Sequence, residues 1–296
     1  MLTFDSMSLP TATTLSTYTA LPIFAQIDRL REQTAGYRPF DQELQQRILN
    51  KLRLNWNYHS NAIEGNRLNY GETITLLMHG VTAKGKPLKD HLDITGHDQA
   101  IQQMLDLVAG TRPLTQTDIR ELHKVVLQHP YASAARTPDG QPVQKQITVG
   151  AYKTQPNHVR TITGQIHYYT APESVAAEMT DLVSWVNTEL EAATLPPTLI
   201  ATVFHHAFVA IHPFDDGNGR LGRILMNFVL LRAQLPPAVI QMTNRETYYG
   251  ALAQADAGDY TALIELIGAS VVRSLQLQLD VLRGERLHDY RNMEEE

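Results

Sequence analysis

The sequence predicts an all-α protein carrying one inserted β-hairpin, and three observations predict it. Apolar residues recur at helical spacing through most of the 296 residues, capping and stop residues cut that periodicity into lengths typical of helices, and one stretch alone, about residues 144–169, changes to the alternation of strands. At 43% hydrophobic residues the chain can bury the core of one large domain.

Residues 1 to about 22 are rich in Ser and Thr without a clear period, so residues 1–38 read as an N-terminal arm. From Pro39 the helical signal starts: Leu44, Ile48, Leu52 and Trp56 recur every fourth residue and share one helix face. Asn69 with Glu72 reads as a capping box opening a short helix that Gly80 closes. A further helix runs from about Leu88 to Val108 and stops at Gly110, which completes an N-terminal helical region over 39–110. Thr115 with Asp118 opens the next helix and, with it, a core over 111–285.

Within the core, VRTITGQIHYY alternates about Gly164 as a hairpin does. Pro172 sits at a first-turn position, followed by Val175, Met179, Leu182 and Val186 on one face. TLIATVFHHAFVAI, after Pro196 and Pro197, is apolar nearly all round and should be central. An amphipathic helix with Leu221, Leu225, Phe228 and Val229 begins near Gly219. Thr243 with Glu246 reads as another capping box, and Leu263, Ile267, Val271, Leu275 and Leu282 build a long last helix before a charged tail over 286–296.

Composition narrows the function. With 25 Lys and Arg against 31 Asp and Glu, a net charge of −6 and no basic run, the chain offers no phosphate-tracking stripe for nucleic acid. It has no cysteine, which excludes a disulfide framework, a thiolate nucleophile and a sulfur-ligated metal and suits a reducing compartment. The first residues lack a basic and an apolar region of signal-peptide type, and no stretch reaches about 18 continuous apolar residues, so a cytoplasmic protein with no membrane partner is expected.

The chemistry concentrates in IHPFDDGNGRLGR, residues 211–223, a loop between a buried helix and the start of an amphipathic one. A helix N-terminus presents free N–H groups and a positive dipole end, and Gly217 and Gly219 let an anion approach the backbone. Arg220 and Arg223, three apart, can add bidentate contacts to the same anion, which points to a polyphosphate. Asp216 beside such a site calls for a hard cation, Mg²⁺. His212 is the nearby side chain whose ordinary pKa, about 6.5, suits a general base. With no Cys or Ser in the loop, the attacking hydroxyl should belong to the substrate, and Asp215 is expected to be solvated. Zinc on His205, His206, His212 and Asp216 is disfavoured, because adjacent helical residues diverge by about 100°. GAYKT fails as a phosphate loop because Tyr152 stands where a glycine should precede the lysine.

These residues resemble the Fic-domain (Fic/Doc) family, whose signature H-P-F-x-[DE]-G-N-G-R-x-x-R is met by His212, Pro213, Phe214, Asp216, Gly217, Asn218, Gly219, Arg220 and Arg223. GAYK with the hairpin after it looks like the family's target-positioning flap, here Thr161, Ile162, Thr163, Gly164, Gln165 and Ile166. RETYYGALAQADAGDY looks like its nucleotide-pocket segment, with Tyr248 and Tyr249. The resemblance spans roughly residues 40–275 and implies a Fic-fold helical bundle with a β-hairpin flap. It further implies transfer of AMP from ATP to a Tyr, Ser or Thr hydroxyl of a target protein. By position, His212 would deprotonate the acceptor and Asp216 would hold Mg²⁺. Asn218 and the loop amides would hold the α-phosphate, and Arg220 and Arg223 the outer phosphates. Doc-like relatives have Lys where this chain has Gly219 and transfer phosphoryl groups, so Gly219 favours AMP transfer.

SNAIEGN, residues 60–66, resembles the family's inhibitory helix, [ST]-x-x-x-E-[GN], through Ser60, Glu64 and Gly65, with Glu64 expected on Arg223. Other readings on the same scaffold are hydrolytic removal of AMP with Glu64 positioning a water, transfer of another nucleotide or a phosphoryl group, or a non-catalytic nucleotide-binding module. Many relatives self-associate, so the resemblance admits a homo-oligomer.

Overall fold

A computed structural model describes residues 9–39, 41–137, 139–160 and 166–284. In chain order the elements are helices α1 (Ala12–Ser16), α2 (Pro22–Ala35), α3 (Gln42–Ile63), α4 (Tyr70–His79), α5 (Leu88–Ala109) and α6 (Gln116–Leu127). Four short strands follow: β1 (Tyr131–Arg136), β2 (Pro142–Ile147), β3 (His158–Arg160) and β4 (Ile166–Tyr168). Helices α7 (Pro172–Ala192), α8 (Pro197–Ile211) and α9 (Asn218–Arg232), a 3-10 turn (Met242–Asn244), α10 (Arg245–Asp256) and α11 (Thr261–Leu282) complete it.

Helix α8 is the axis of the bundle, packed by α7, α9, α10 and α11, and Leu199, Val203, Phe204, Ala207 and Phe208 along it are wholly buried. Burial of such side chains contributes about 1.5–3 kcal/mol each for the larger ones, so an all-round apolar helix is stable only at this central position. Helix α9 lies against α8 and also touches α3, α5 and α6. The N-terminal helical region and the core therefore meet on the element that follows the 211–223 loop, and one apolar cluster runs from Leu15 to Leu279.

The capping boxes at Asn69/Glu72 and Thr115/Asp118 both form, and Gly80 closes α4 at φ 68°. The box at Thr243/Glu246 does not: Thr243 lies inside the 3-10 turn that feeds directly into α10, whose cap residue Asn244 makes no side-chain cap bond. The chain enters that helix already curled, and no extended residue stands where a capping side chain would fold back.

The arm expected over residues 1–38 is packed structure from residue 9 on. Ile23, Phe24, Ile27 and Leu30 form the buried face of α2, which packs on α11, and Leu15 of α1 is fully buried. Pro22 fixes the first turn, and the apolar spacing supplies the rest. Residues 285–296, where the charged tail was expected, lie outside the described residues.

The single hairpin expected over 144–169 is two. β1 pairs antiparallel with β2, Tyr131 opposite Ile147 and Arg136 opposite Pro142, and β3 pairs with β4, His158 opposite Tyr168. Where β1 leads into β2, Gly140 stands at φ 90° and donates its N–H to the Thr137 carbonyl. Helix α11 is the one described helix long and apolar enough to cross a membrane. Half of its most apolar window is buried inside the fold, against α2, α8 and α10, as a core helix requires.

Candidate active site

The buried helix α8 ends at Ile211, and the chain turns at once because His212 adopts the left-handed conformation, φ 52°, its N–H closing on the Phe208 carbonyl at 3.0 Å. Phe214 then plugs back into the core, fully buried and stacked on His123 of α6 at 3.8 Å. Gly217, at φ 78°, turns the chain into α9. Asn218 closes the loop: its Oδ1 accepts from the Phe214 N–H at 3.0 Å and its Nδ2 donates to the Phe214 carbonyl at 2.9 Å. This differs from the expected phosphate contact. The Asn218 side chain is buried and holds the loop shut.

Three residues from outside the loop brace it. His123 donates from Nε2 to the Asp216 carbonyl at 3.0 Å and accepts the Gly150 N–H on Nδ1 at 2.9 Å, an arrangement only the neutral ring can make. Buried Lys153 donates from its backbone to the Pro213 carbonyl at 2.8 Å and from Nζ to the Ile211 carbonyl at 3.2 Å, at the negative end of α8. Asn157 donates to the Phe214 carbonyl at 2.9 Å.

His212 is stacked on Tyr169 with ring centroids 3.9 Å apart. Burial, and after it the Lys153 ammonium, pull its pKa down to about 3, so the imidazole is neutral and able to accept a proton at neutral pH. Beside it, Asp216 takes the Tyr131 hydroxyl on Oδ2 and the Gly217 N–H on Oδ1 at 2.6 Å. Burial pushes its carboxyl up, but Arg220, Tyr131 and the Gly217 amide outweigh that and hold it below the usual carboxylate range. Asp215, expected in solvent, is instead covered: its Oδ1 lies 2.9 Å from Lys145 Nζ and its Oδ2 accepts from Thr148 at 3.1 Å. The lysine that reaches it comes from β2, a strand the sequence reading did not pair this way.

At the start of α9 both arginines are buried and both meet carboxylates. Arg223 donates from Nη2 to Glu64 Oε1 and to the Ser60 carbonyl, each at 2.8 Å, and from Nε to Ser60 Oγ at 2.9 Å. Burial opposes the charge on Arg223, and Glu64 more than compensates, raising its pKa. Glu64 caps α3, and Gly65 at φ 89° turns the chain away. Arg220 donates to Asp93 of α5 at 2.6 Å, a partner four helices away in sequence that no motif announces. Tyr248 is buried under the Arg223 guanidinium with its hydroxyl 2.7 Å from His205 Nε2, whereas Tyr249 is partly exposed with Arg245 over its ring. His206 turns elsewhere, to Asp256 at 2.9 Å and Tyr260 at 3.0 Å.

A cleft of about 1010 Å³ is lined by His212, Asp215 and Asp216 together with residues of both hairpins. Glu64, Arg220, Arg223, Tyr248 and Tyr249 take no part in its lining. His212 thus lines the open cleft from the loop that leads into α9. Of the expected flap residues, Thr161, Ile162, Thr163, Gly164 and Gln165 lie outside the described residues, and Ile166 opens β4 opposite Arg160.

Residues 113–230 match the family described as Fic/DOC. A Fic domain containing signaling protein from Bacteroides thetaiotaomicron superposes with a TM-score of 0.81 at 33% identity, covering 89% of this chain and 99% of that one. The chain is 29% identical to the protein adenylyltransferase Fic of Nematostella vectensis, over 85% of its own length and 53% of the relative's. To that of Culex quinquefasciatus it is 30% identical, over 86% and 47%. The chain spans about half the length of these curated relatives.

Proposed function

The chain belongs to the Fic/DOC family, and on that premise we propose that it transfers AMP from ATP to a hydroxyl of a protein substrate. The observation that carries the reading is the neutral His212, which lines the cleft and lies on the loop that leads into the cationic start of α9. A protein hydroxyl entering from the cleft gives its proton to His212 as its oxygen bonds to the α-phosphorus, and the bond from that phosphorus to the bridging oxygen breaks to release pyrophosphate. The free amides of α9, with Arg220 and Arg223, neutralise the phosphates and the departing charge. Tyr249, partly exposed beside Arg223, is positioned to cover the nucleoside.

The chain's own donor set fits Mg²⁺: one carboxylate, held ionised, at the edge of a phosphate-binding helix end is how that ion is commonly shared between protein and nucleotide. Asp216 would hold it, and the ion when bound would offset phosphate charge. Glu64 keeps the enzyme restrained, since Arg223 cannot serve a γ-phosphate while it is bonded to that carboxylate.

The test is incubation of the Glu64→Gly variant with α-labelled ATP and Mg²⁺, followed by mass analysis of labelled proteins, the enzyme included. An adduct with the mass of AMP supports the reading. A phosphate adduct, or no adduct in the presence of bound nucleotide, overturns it.

A further inference from the structure

Asp216 and Arg220 carry opposite charges a few residues apart, where the loop enters α9. A carboxylate and a guanidinium so placed attract strongly, and pairing would suit both as long as no ligand is bound. Burial opposes the charge on each. Against it, Arg220 is the foremost influence holding the Asp216 carboxyl low, and Asp216 follows Asp93 in holding the Arg220 guanidinium high. The two are nevertheless unpaired: among the described residues Arg220 forms its ion pair with Asp93, and Asp216 accepts from Tyr131 and the Gly217 amide.

Two anchors hold them apart. Asp93 accepts from Arg220 Nη1 at 2.6 Å on the α5 side, and the Tyr131 hydroxyl donates to Asp216 Oδ2 from the start of β1. The anchors are themselves joined. Lys89, one turn before Asp93 on α5, donates to Asp93 Oδ2 at 2.7 Å and lies 5.7 Å from the centre of the Tyr131 ring. Lys89, Asp93, Arg220, Asp216 and Tyr131 therefore close a circuit in which two cations balance two carboxylates. Asp216 has a single donor on each oxygen, and a carboxylate oxygen accepts more than one bond, so both keep capacity for a ligand. A direct pair with Arg220 would spend that capacity and the guanidinium together.

We propose that Tyr131 and Asp93 are positioning residues that keep the Asp216 carboxylate and the Arg220 guanidinium from neutralising one another, so that the first stays available to Mg²⁺ and the second to the outer phosphates. The proposal rests on the AMP-transfer reading, which gives Asp216 and Arg220 those roles. It separates the two carboxylates that meet the arginines of α9. Glu64 ends a helix before Gly65 and its side chain is 35% exposed, whereas that of Asp93 lies within α5, is 16% exposed and is held by Lys89. Glu64 leaves when a nucleotide binds; Asp93 stays.

The experiment is calorimetry in the Glu64→Gly background with AMP and with ADP, which cannot release pyrophosphate. Tyr131→Phe removes the hydroxyl and keeps the ring beside Lys89. It should raise the Mg²⁺ concentration needed for half-maximal enhancement of ADP binding about tenfold, the effect of removing a hydrogen-bond partner from a metal-holding carboxylate. ADP binding in EDTA should also weaken several-fold, as Asp216 moves onto Arg220. AMP has no outer phosphate for Arg220 to hold, so its affinity in EDTA should stay within about twofold and report an intact fold. In an Asp216→Asn background Tyr131→Phe should change ADP affinity less than about twofold, because no carboxylate remains to collapse. Asp93→Asn should weaken ADP and spare AMP, opposite in sign to Glu64→Gly.

An unchanged Mg²⁺ requirement in Tyr131→Phe overturns the proposal, and so does a lower one, which would make the hydroxyl a competitor of the ion. An equal loss in the Asp216→Asn background, or a matching loss of AMP affinity, overturns it as well. Tighter ADP binding by Asp93→Asn would make Asp93 a second restraint and reject its positioning role. If ADP binding by the parent is independent of Mg²⁺, the metal assignment falls and takes the proposal with it, while AMP transfer is judged separately by adduct mass.

Discussion

Glu64 lies so close to Gly219 that a β-carbon on the glycine would overlap the carboxylate. The side chain is therefore packed onto the first turn of α9, where free amides and the helix dipole draw an anion. Glu64 is the anion that the protein itself supplies, and Gly219 is the opening that admits it.

Removing that anion should activate the enzyme. If the restrained form is favoured by about 3 kcal/mol, Glu64→Gly raises AMP incorporation on the order of 10²-fold. The gain should vanish in the double variant with Arg223→Ala, because the released arginine is what receives the outer phosphate. Rates for the wild type, both single variants and the double variant under saturating Mg·ATP decide it; a Glu64→Gly enzyme no faster than wild type refutes the restraint.

His212→Ala should leave Mg·ATP binding within a few-fold and remove about 10² or more of the transfer rate. Since the His212 pKa is about 3, its protonation cannot cause a fall in rate between pH 8 and pH 5. Initial rates across that range, measured on Glu64→Gly, would contradict this if they traced a titration near 6.5 that His212 controls.

Acid should unfold the protein early. His97, His123 and His205 are fully buried, and burial lowers their pKa values: that of His123 to about 4, that of His205 to about 3, and that of His97 well below its ordinary value. Unfolded histidines take up protons near pH 6.5 while these do not, so unfolding binds protons and stability falls as pH drops below 6.5. At pH 5 the loss reaches up to about 2 kcal/mol for each. Calorimetric Tm should drop by about 10 °C between pH 7 and pH 5, and a flat profile would contradict the burial of these rings in neutral form.

Asp216→Ala should weaken ATP binding in Mg²⁺ at least about tenfold and leave binding in EDTA nearly unchanged, because the cation loses its protein carboxylate. The same metal dependence in variant and wild type would take Asp216 out of the metal site.

Ile166→Pro removes a backbone donor from β4 and should reduce modification of a protein target on the order of tenfold, the effect of one or two main-chain hydrogen bonds at about 1 kcal/mol each. Nucleotide affinity should be preserved. Loss of both at once would indicate a damaged fold instead of a damaged flap.

The parts of the site legible in the sequence are those the chain makes locally. His212, Asp216, Arg220 and Arg223 fall within one loop and one helical turn, and SNAIEGN is contiguous, so its resemblance to the family's inhibitory helix could bring Glu64 forward as a partner. Asp93, His123 and Tyr131 reach the loop from separate elements, and nothing in their own neighbourhoods marks them, while Lys153 is marked only as part of GAYK and not as a brace of the loop. Asn218 shows the limit from the other side: an amide can bind a phosphate or a peptide group equally well, and only its distance to Phe214 decides. Two misses did have a signal. TPDG marks a turn between YASAAR and QPVQKQI, but the alanines of β1 lack the β-branched residues by which strands are usually recognised. The α2 face was written in Ile23, Ile27 and Leu30 behind a Ser/Thr-rich start.

The pairing of α2 with α11 also bears on how the chain reaches this structure. Ile23 packs against Gly268 where no β-carbon would fit, and the Tyr18 hydroxyl bonds the Gly258 carbonyl at 3.1 Å, a closure across some 240 residues. Contacts of such long sequence separation are slow to form, because the loop entropy is lost before the contact returns anything. During synthesis α2 emerges long before α11 and finds its partner only when that helix is made, so its apolar face stays open while the loop and both arginines are already assembling. Refolding should accordingly show a late phase reported by Tyr18 and Tyr260, whose rings meet at 6.2 Å, after the surroundings of Trp56 have formed.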